Sequence, residues 1–206
     1  MKDQANTKHW DEIYASRNES EFSWFQPYPF TSMEFIEILD LPLDARIIDM
    51  GGGDSHFVDA VLEKGYQNIY VLDISAAAIE RAQQRLGDEA DQVHWIVSDI
   101  TEFKPEVEFD LWHDRAAFHF LTTEDNIQKN ISIAGKAIRK NGYFILGTFS
   151  ENGPLKCSGL EIKQYSEISM SGRFDPYFQK IKCINEDHQT PSNTIQNFLF
   201  CSFRRK

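Results

Sequence analysis

The chain predicts a doubly wound α/β fold, a mostly parallel seven-stranded sheet with an antiparallel C-terminal strand pair and helices on both faces. Three observations predict it. Short apolar runs alternate with amphipathic segments from residue 46 to residue 149, the pattern of repeated strand–helix–strand units. A glycine cluster follows the first of those runs, where such folds turn from strand to helix. After Ser150 the alternation stops, and two apolar runs at 177–184 and 197–203 follow with no long helical period between them, as strands joined without a crossover require.

In chain order, Trp10, Ile13 and Tyr14 place one aromatic edge on a short helix over 6–17. The run FSWFQPYPF, 22–30, holds five aromatics and two prolines and reads as an ordered loop. Thr31 and Glu34 form a capping-box pattern that opens a helix reaching about Leu41, closed by Pro42. Strand 46–50 leads to a helix over 54–64 whose Phe57, Val58, Val61 and Leu62 share a face, ended by Gly65. Strand 68–72 precedes a helix capped by Ser75, with Ala78, Ile79, Ala82 and Leu86 in register. Strands at 93–97 and 108–113 follow, then a helix over 123–140 stopped by Asn141-Gly142, and a strand at 143–149. The segment after Ser150 reads as a polar loop. The 206 residues suit one domain over 1–206, with no repeat or low-complexity tract.

The net charge of −11, from 32 acidic and 21 basic side chains, repels nucleic acid and anionic membrane surfaces. Cys157, Cys183 and Cys201 are odd in number and lack metal-ligand spacing, so the expectation is reduced thiols in a cytoplasm, with no disulfide framework and no metal site. Nothing resembles an export signal or a membrane-spanning run. The oligomeric state is not legible.

The chemistry concentrates at the carboxyl ends of the strands. In IIDMGGGDSHF, 47–57, glycines let backbone approach a ligand ahead of a helix N-terminus. The dinucleotide fingerprint G-x-G-x-x-G needs a glycine where His56 stands. The pattern acid-x-G-x-G-x-G instead finds Asp49, Gly51 and Gly53, with Ser55 in place of the last glycine. Asp73 ends the second strand, where a carboxylate can accept both hydroxyls of a ribose. Asp99 ends the third.

The stretch Asp49-Met50-Gly51-Gly52-Gly53 resembles motif I of class I S-adenosylmethionine-dependent methyltransferases. That resemblance implies that the loop cradles the methionine part of S-adenosylmethionine, and that Asp49 organises the loop and the cofactor's amino group. It assigns Asp73 and Ile74 to the ribose, and Asp99 and Ile100 to the adenine. S-adenosylhomocysteine is the implied product.

The segment DLWHDRAAFHFL, 110–121, stands where the family places its reaction centre. Deprotonation of an acceptor asks for a group near neutral pKa, so His113 is the first candidate base, with Asp114, His119 and His188 behind it. His188 is expected in a loop between the last two strands, and Cys157-Ser158-Gly159 in a loop bordering the crevice. HWDEIY, 9–14, and FSWFQ, 22–26, resemble the lead-in of a subgroup that includes eukaryotic elongation-factor lysine methyltransferases. There residues 1–30 would fold over the cofactor, with Trp10, Tyr14 and Trp24 facing its sulfonium. The subgroup's D-K-G-T-like stretch is here Asp114-Arg115-Ala116-Ala117, which tips the acceptor toward a small molecule over a protein lysine. A nicotinamide-linked reductase and a non-catalytic cofactor-binding module are the competing readings.

Overall fold

The computed structural model describes residues 2–206. Two helices, α1 (Lys2–Ser16) and α2 (Phe30–Leu39), precede strand β1 (Arg46–Met50). Then come α3 (Phe57–Glu63), β2 (Asn68–Asp73), α4 (Ala76–Leu86), β3 (Val93–Val97), β4 (Phe109–Arg115), α5 (Glu124–Ala137) and β5 (Ile138–Phe149). A two-residue hairpin, β6 (Lys156–Cys157) with β7 (Leu160–Glu161), leads to α6 (Glu167–Phe174), β8 (Phe178–Gln189) and β9 (Ile195–Arg205).

The seven-stranded sheet has the order β3-β2-β1-β4-β5-β9-β8. Pairings from β3 to β5 are parallel, and β9 runs antiparallel between β5 and β8. Strand order reverses between β1 and β4, so the carboxyl ends of those two strands flank a topological switch point, where open α/β sheets hold ligands. The core is apolar on both faces. Ile48, Trp112, Phe144 and Ile131 pack on one side, and Ile47, Leu111, Val61 and Ile145 on the other.

Several local expectations change. The Thr31 capping box does not form: α2 starts at Phe30 with Pro29 at its N-cap, because Thr31 and Ser32 are buried inside the first turn. Helix α5 keeps its cap, Thr123 accepting from the Asn126 amide, but ends at Ala137. Pairing of Ile138 with Phe109 captures the residues expected to extend the helix, and Asn141, at φ +66°, kinks β5 where a helix stop was read. Helix α6 lies in the segment read as loop; its signal is a capping box at Ser166 and Ser169 with Met170 and Phe174 buried one turn apart.

The cysteine expectation is overturned. Cys183 and Cys201 face each other across β8 and β9 and form a disulfide, leaving only Cys157 free. Their 18-residue separation is the length of a hairpin, and antiparallel pairing brings the two together. The thiol argument for a cytoplasmic setting falls with it. Among the described residues no helix is long and apolar enough to cross a membrane, and no group of three or more His, Cys, Asp or Glu side chains is placed to hold a metal ion.

Candidate functional site

The site begins with how the strand ends are tied together. Leu72 O accepts from both Gly51 N (2.7 Å) and Gly52 N (3.1 Å), so the glycine loop folds back over β2. Gly51 and Gly53 have φ of +65° and +51°, a region costly for residues with a Cβ. A Cβ at Gly51 would collide with Ala117, and one at Gly53 would stand 2.6 Å from the Tyr14 hydroxyl. Ser55 replaces the usual third glycine without disruption: its hydroxyl accepts from Phe57 N, and its carbonyl accepts from Arg85. The expected helix start recedes from the loop, since α3 opens only at Phe57.

Over these ends lies a cavity of about 310 Å³, within the range of small-molecule sites. Its wall includes Trp10, Tyr14 and Trp24 from the N-terminal segment, Gly51 from the loop, and Asp73, Ile74, Asp99 and Ile100 from the ends of β2 and β3. Arg115 to Ala117, Phe120 and Leu121 close the side beyond β4, and Cys157 joins from the β6–β7 hairpin. Asn6, Thr101, Asn126 and Arg115 complete the polar lining, and sequence reasoning had not assigned them to it. A hollow of about 40 Å³ behind the loop shares Tyr14, Trp24, Gly51 and Arg115 with the cavity and touches Asp49, Gly52 and His113.

Asp73 Oδ1 accepts from Ser75 N at 2.8 Å, and burial pushes its carboxyl up to about 7, with the Ser75 and Gly53 amides pulling the other way. A carboxylate that resists ionisation in the free protein is one that gains from further donors. At Asp99 both bonds from Thr101, from its amide (2.6 Å) and its hydroxyl (2.7 Å), fall on Oδ1, which leaves the second oxygen for a ligand donor. The aromatic side is built as a cluster: Trp10 stands edge-on to Trp24 and Phe120, and Trp24 stacks on Phe22 at 4.6 Å. Helix α1 is pinned there by polar contacts. Ser75 Oγ donates to Asp11 (2.6 Å), and Arg81 donates to the carbonyls of Tyr14 and Arg17.

The four candidate bases do not gather at the cavity. His113 is 1% exposed and stacked on Phe57; its Nδ1–H donates to Asp49 Oδ1 (2.6 Å), and its Nε2 accepts from Ser32 (2.8 Å). Both ring nitrogens are thus engaged with protein groups. His119 is fully buried against Phe149, and desolvation, with help from Arg115, drives its pKa down to about 3, so it stays neutral and too weak a base. His188 lies within β8, not in a loop, opposite Gln196 in the β8–β9 ladder, and its Nε2–H donates to Ser23 O. Asp114 is sealed beneath the turn after β4, accepting from the amides of Ala117 and Phe118. Asp49 itself faces His113 and the small hollow. Burial separates these residues from the cavity, and which three of the six histidines the fold buries is not written in local sequence.

Comparisons with known proteins agree with this architecture. Residues 48–144 match a family model described as a methyltransferase domain. The chain is 20% identical over 164 residues to the eEF1A lysine and N-terminal methyltransferase of Mus musculus, covering 75% of this chain and 23% of that protein. It is 33% identical over 77 residues to malonyl-[acyl-carrier protein] O-methyltransferase 1 of Ilyobacter polytropus, covering 37% of this chain and 28% of that one. The chain thus spans about a quarter of the length of these curated relatives. The N-methyltransferase NodS of Bradyrhizobium japonicum WM9, solved with S-adenosyl-l-homocysteine, superposes with a TM-score of 0.74 at 18% identity, covering 97% of this chain and 98% of that one.

Proposed function

We propose that the chain is a class I methyltransferase that moves the methyl group of S-adenosylmethionine to a nucleophilic acceptor, a reading supported by the methyltransferase-domain match over 48–144 and by the shared fold. The observation that carries this reading is the cavity at the switch point, with Asp73 and Asp99 on its wall beside the glycine loop. In this reading one domain over 1–206 does the work, with residues 1–30 covering the cofactor.

The lining suits that cofactor. Asp73, with Ile74 beside it, takes the ribose hydroxyls. Asp99 and the Ile100 amide take the adenine. Gly51, Gly52 and Gly53 let the methionine part lie against backbone. The rings of Trp10, Tyr14 and Trp24 present negative faces to a cation. The bound cofactor supplies a methyl group activated by a positively charged sulfur. Everything else falls to positioning, which can contribute several kcal/mol by holding reactants in line. No histidine lines the cavity among the described residues, so the acceptor arrives with its own available electron pair. His113 is a positioning residue that holds Asp49 from below.

A small-molecule acceptor fits a cavity roofed by α1 and Trp24. The competing acceptor is a protein amine, favoured by the likeness to the eEF1A lysine and N-terminal methyltransferase. The net charge of −11 keeps nucleic acid out of the running.

Calorimetric titration tests the reading directly. S-adenosylhomocysteine is expected to bind and NADH not, and Asp73→Ala is expected to weaken the former by more than about tenfold through two lost charge-assisted hydrogen bonds. Binding of NADH alone would transfer the chain to the reductase reading. Labelled methyl donor incubated with separated small-molecule and protein fractions then assigns the acceptor class.

A further inference from the structure

Arg115 is the one cation on the cavity wall among the described residues, and the fold has left its charge without a partner. Its Nη1–H donates to Trp24 O at 2.9 Å, and the Phe198 ring lies 5.0 Å from the guanidinium carbon. Its Nε is buried with no acceptor, and no Asp or Glu among the described residues comes within ion-pair distance. Burial lowers its pKa to about 10, with Glu186 and Asp49 acting only from farther off. A half-buried guanidinium with its Nε sealed off and no ion pair gains from an anion that completes it.

Its location says what that is. Arg115 ends β4, next to the loop glycine Gly51, which abuts Ala117, and it borders both the cavity and the small hollow behind the loop. The cavity is therefore polarised: acids Asp73 and Asp99 lie at the ends of β2 and β3, and one fork of donors lies beyond β4. A ligand matching it carries hydroxyl and amine donors at one end and a carboxylate at the other.

We infer that Arg115 is the anchor for the α-carboxylate of the cofactor's amino-acid arm, a role the motif resemblance does not assign. This rests on the cofactor reading above. Guanidinium and carboxylate match as planar, two-pronged partners, which a lysine ammonium does not reproduce.

The test compares two nucleosides on the whole chain by calorimetry: S-adenosylhomocysteine, which has the carboxylate, and 5′-methylthioadenosine, which lacks the amino-acid group. Arg115→Gln is expected to weaken the first by about tenfold or more while leaving the second within about twofold. Arg115→Lys is expected to recover part of the loss. Equal losses for both compounds, or no loss for either, overturn the inference. If the glutamine variant does not fold, wild-type protein with a decarboxylated analogue of S-adenosylhomocysteine decides: unchanged affinity overturns it and a loss of tenfold supports it. Wild-type protein that binds neither nucleoside refutes the cofactor reading itself, an outcome distinct from these.

Discussion

Asp114 shows how one side chain at this site separates stability from chemistry. It is fully buried, its Oδ1 holds the amides of Ala117 and Phe118, and its Oδ2 has no partner. Desolvation raises its carboxyl to about 7 against those two amides, while an unfolded aspartate titrates near ~3.9. Between those values the folded state holds a proton that the unfolded state has released. The group's stabilising contribution is therefore complete below about pH 4 and is lost as pH rises through 7. Asp114→Asn keeps the amide acceptor and removes the ionisation. It is expected to raise unfolding free energy over wild type by at least about 1 kcal/mol at pH 8, with the difference shrinking toward pH 4. Urea unfolding across that range checks it, and a difference independent of pH would refute the burial argument. Asp73 titrates in the same direction but is common to both proteins, so the comparison isolates Asp114. The acids at strand ends were legible because strand periodicity fixes where each strand stops. The histidines were not, since a sequence shows that His119 is basic in water but not that Phe149 and the sheet remove the water.

At the scale of elements, α1 is held by a few polar contacts. Asp11 accepts the Ser75 hydroxyl, Arg81 reaches two α1-side carbonyls, and Trp10 and Tyr14 tuck their rings toward Trp24. Among its described side chains only Tyr14 is buried, which places α1 at the low-stability end of the molecule, the usual condition of a segment that must admit a ligand. Asp11→Ala leaves the cavity wall intact and removes the acceptor for Ser75, which still caps α4 through the Ala78 amide. The expected result is faster hydrogen exchange confined to α1 and a several-fold faster release of S-adenosylhomocysteine, with little change in the melting temperature. Uniformly faster exchange would mean that α1 is part of the core. Elements with a strong period were readable: β3 lies where its apolar run predicted, and Ser75 caps α4 as read. Those decided by long-range pairing were not, such as the end of α5, where β4 captures Ile138. The same cause hid the Cys183–Cys201 link, which exists only once β8 and β9 are in register.

For the whole molecule, the two apolar clusters on either face of the sheet stabilise the fold independently of any ligand, whereas the switch-point cavity works against it. Asp73 and Arg115 are both desolvated there, and each has its charged form disfavoured by burial. A ligand that supplies donors to one and an acceptor to the other relieves both costs in the folded state alone, so binding and global stability are linked. At a free concentration one hundred times its dissociation constant, S-adenosylhomocysteine adds about 2.7 kcal/mol. For a chain of this size each kcal/mol shifts the melting temperature by roughly 2–4 °C, so a rise of about 5–10 °C is expected. NADH at the same concentration is expected to leave the transition in place, because the glycine loop departs from the dinucleotide pattern at His56. Differential scanning calorimetry with both compounds provides the check. A rise with neither would mean that this polarised cavity is a structural void with charged walls, an arrangement that a half-buried guanidinium without an ion pair makes energetically unfavourable.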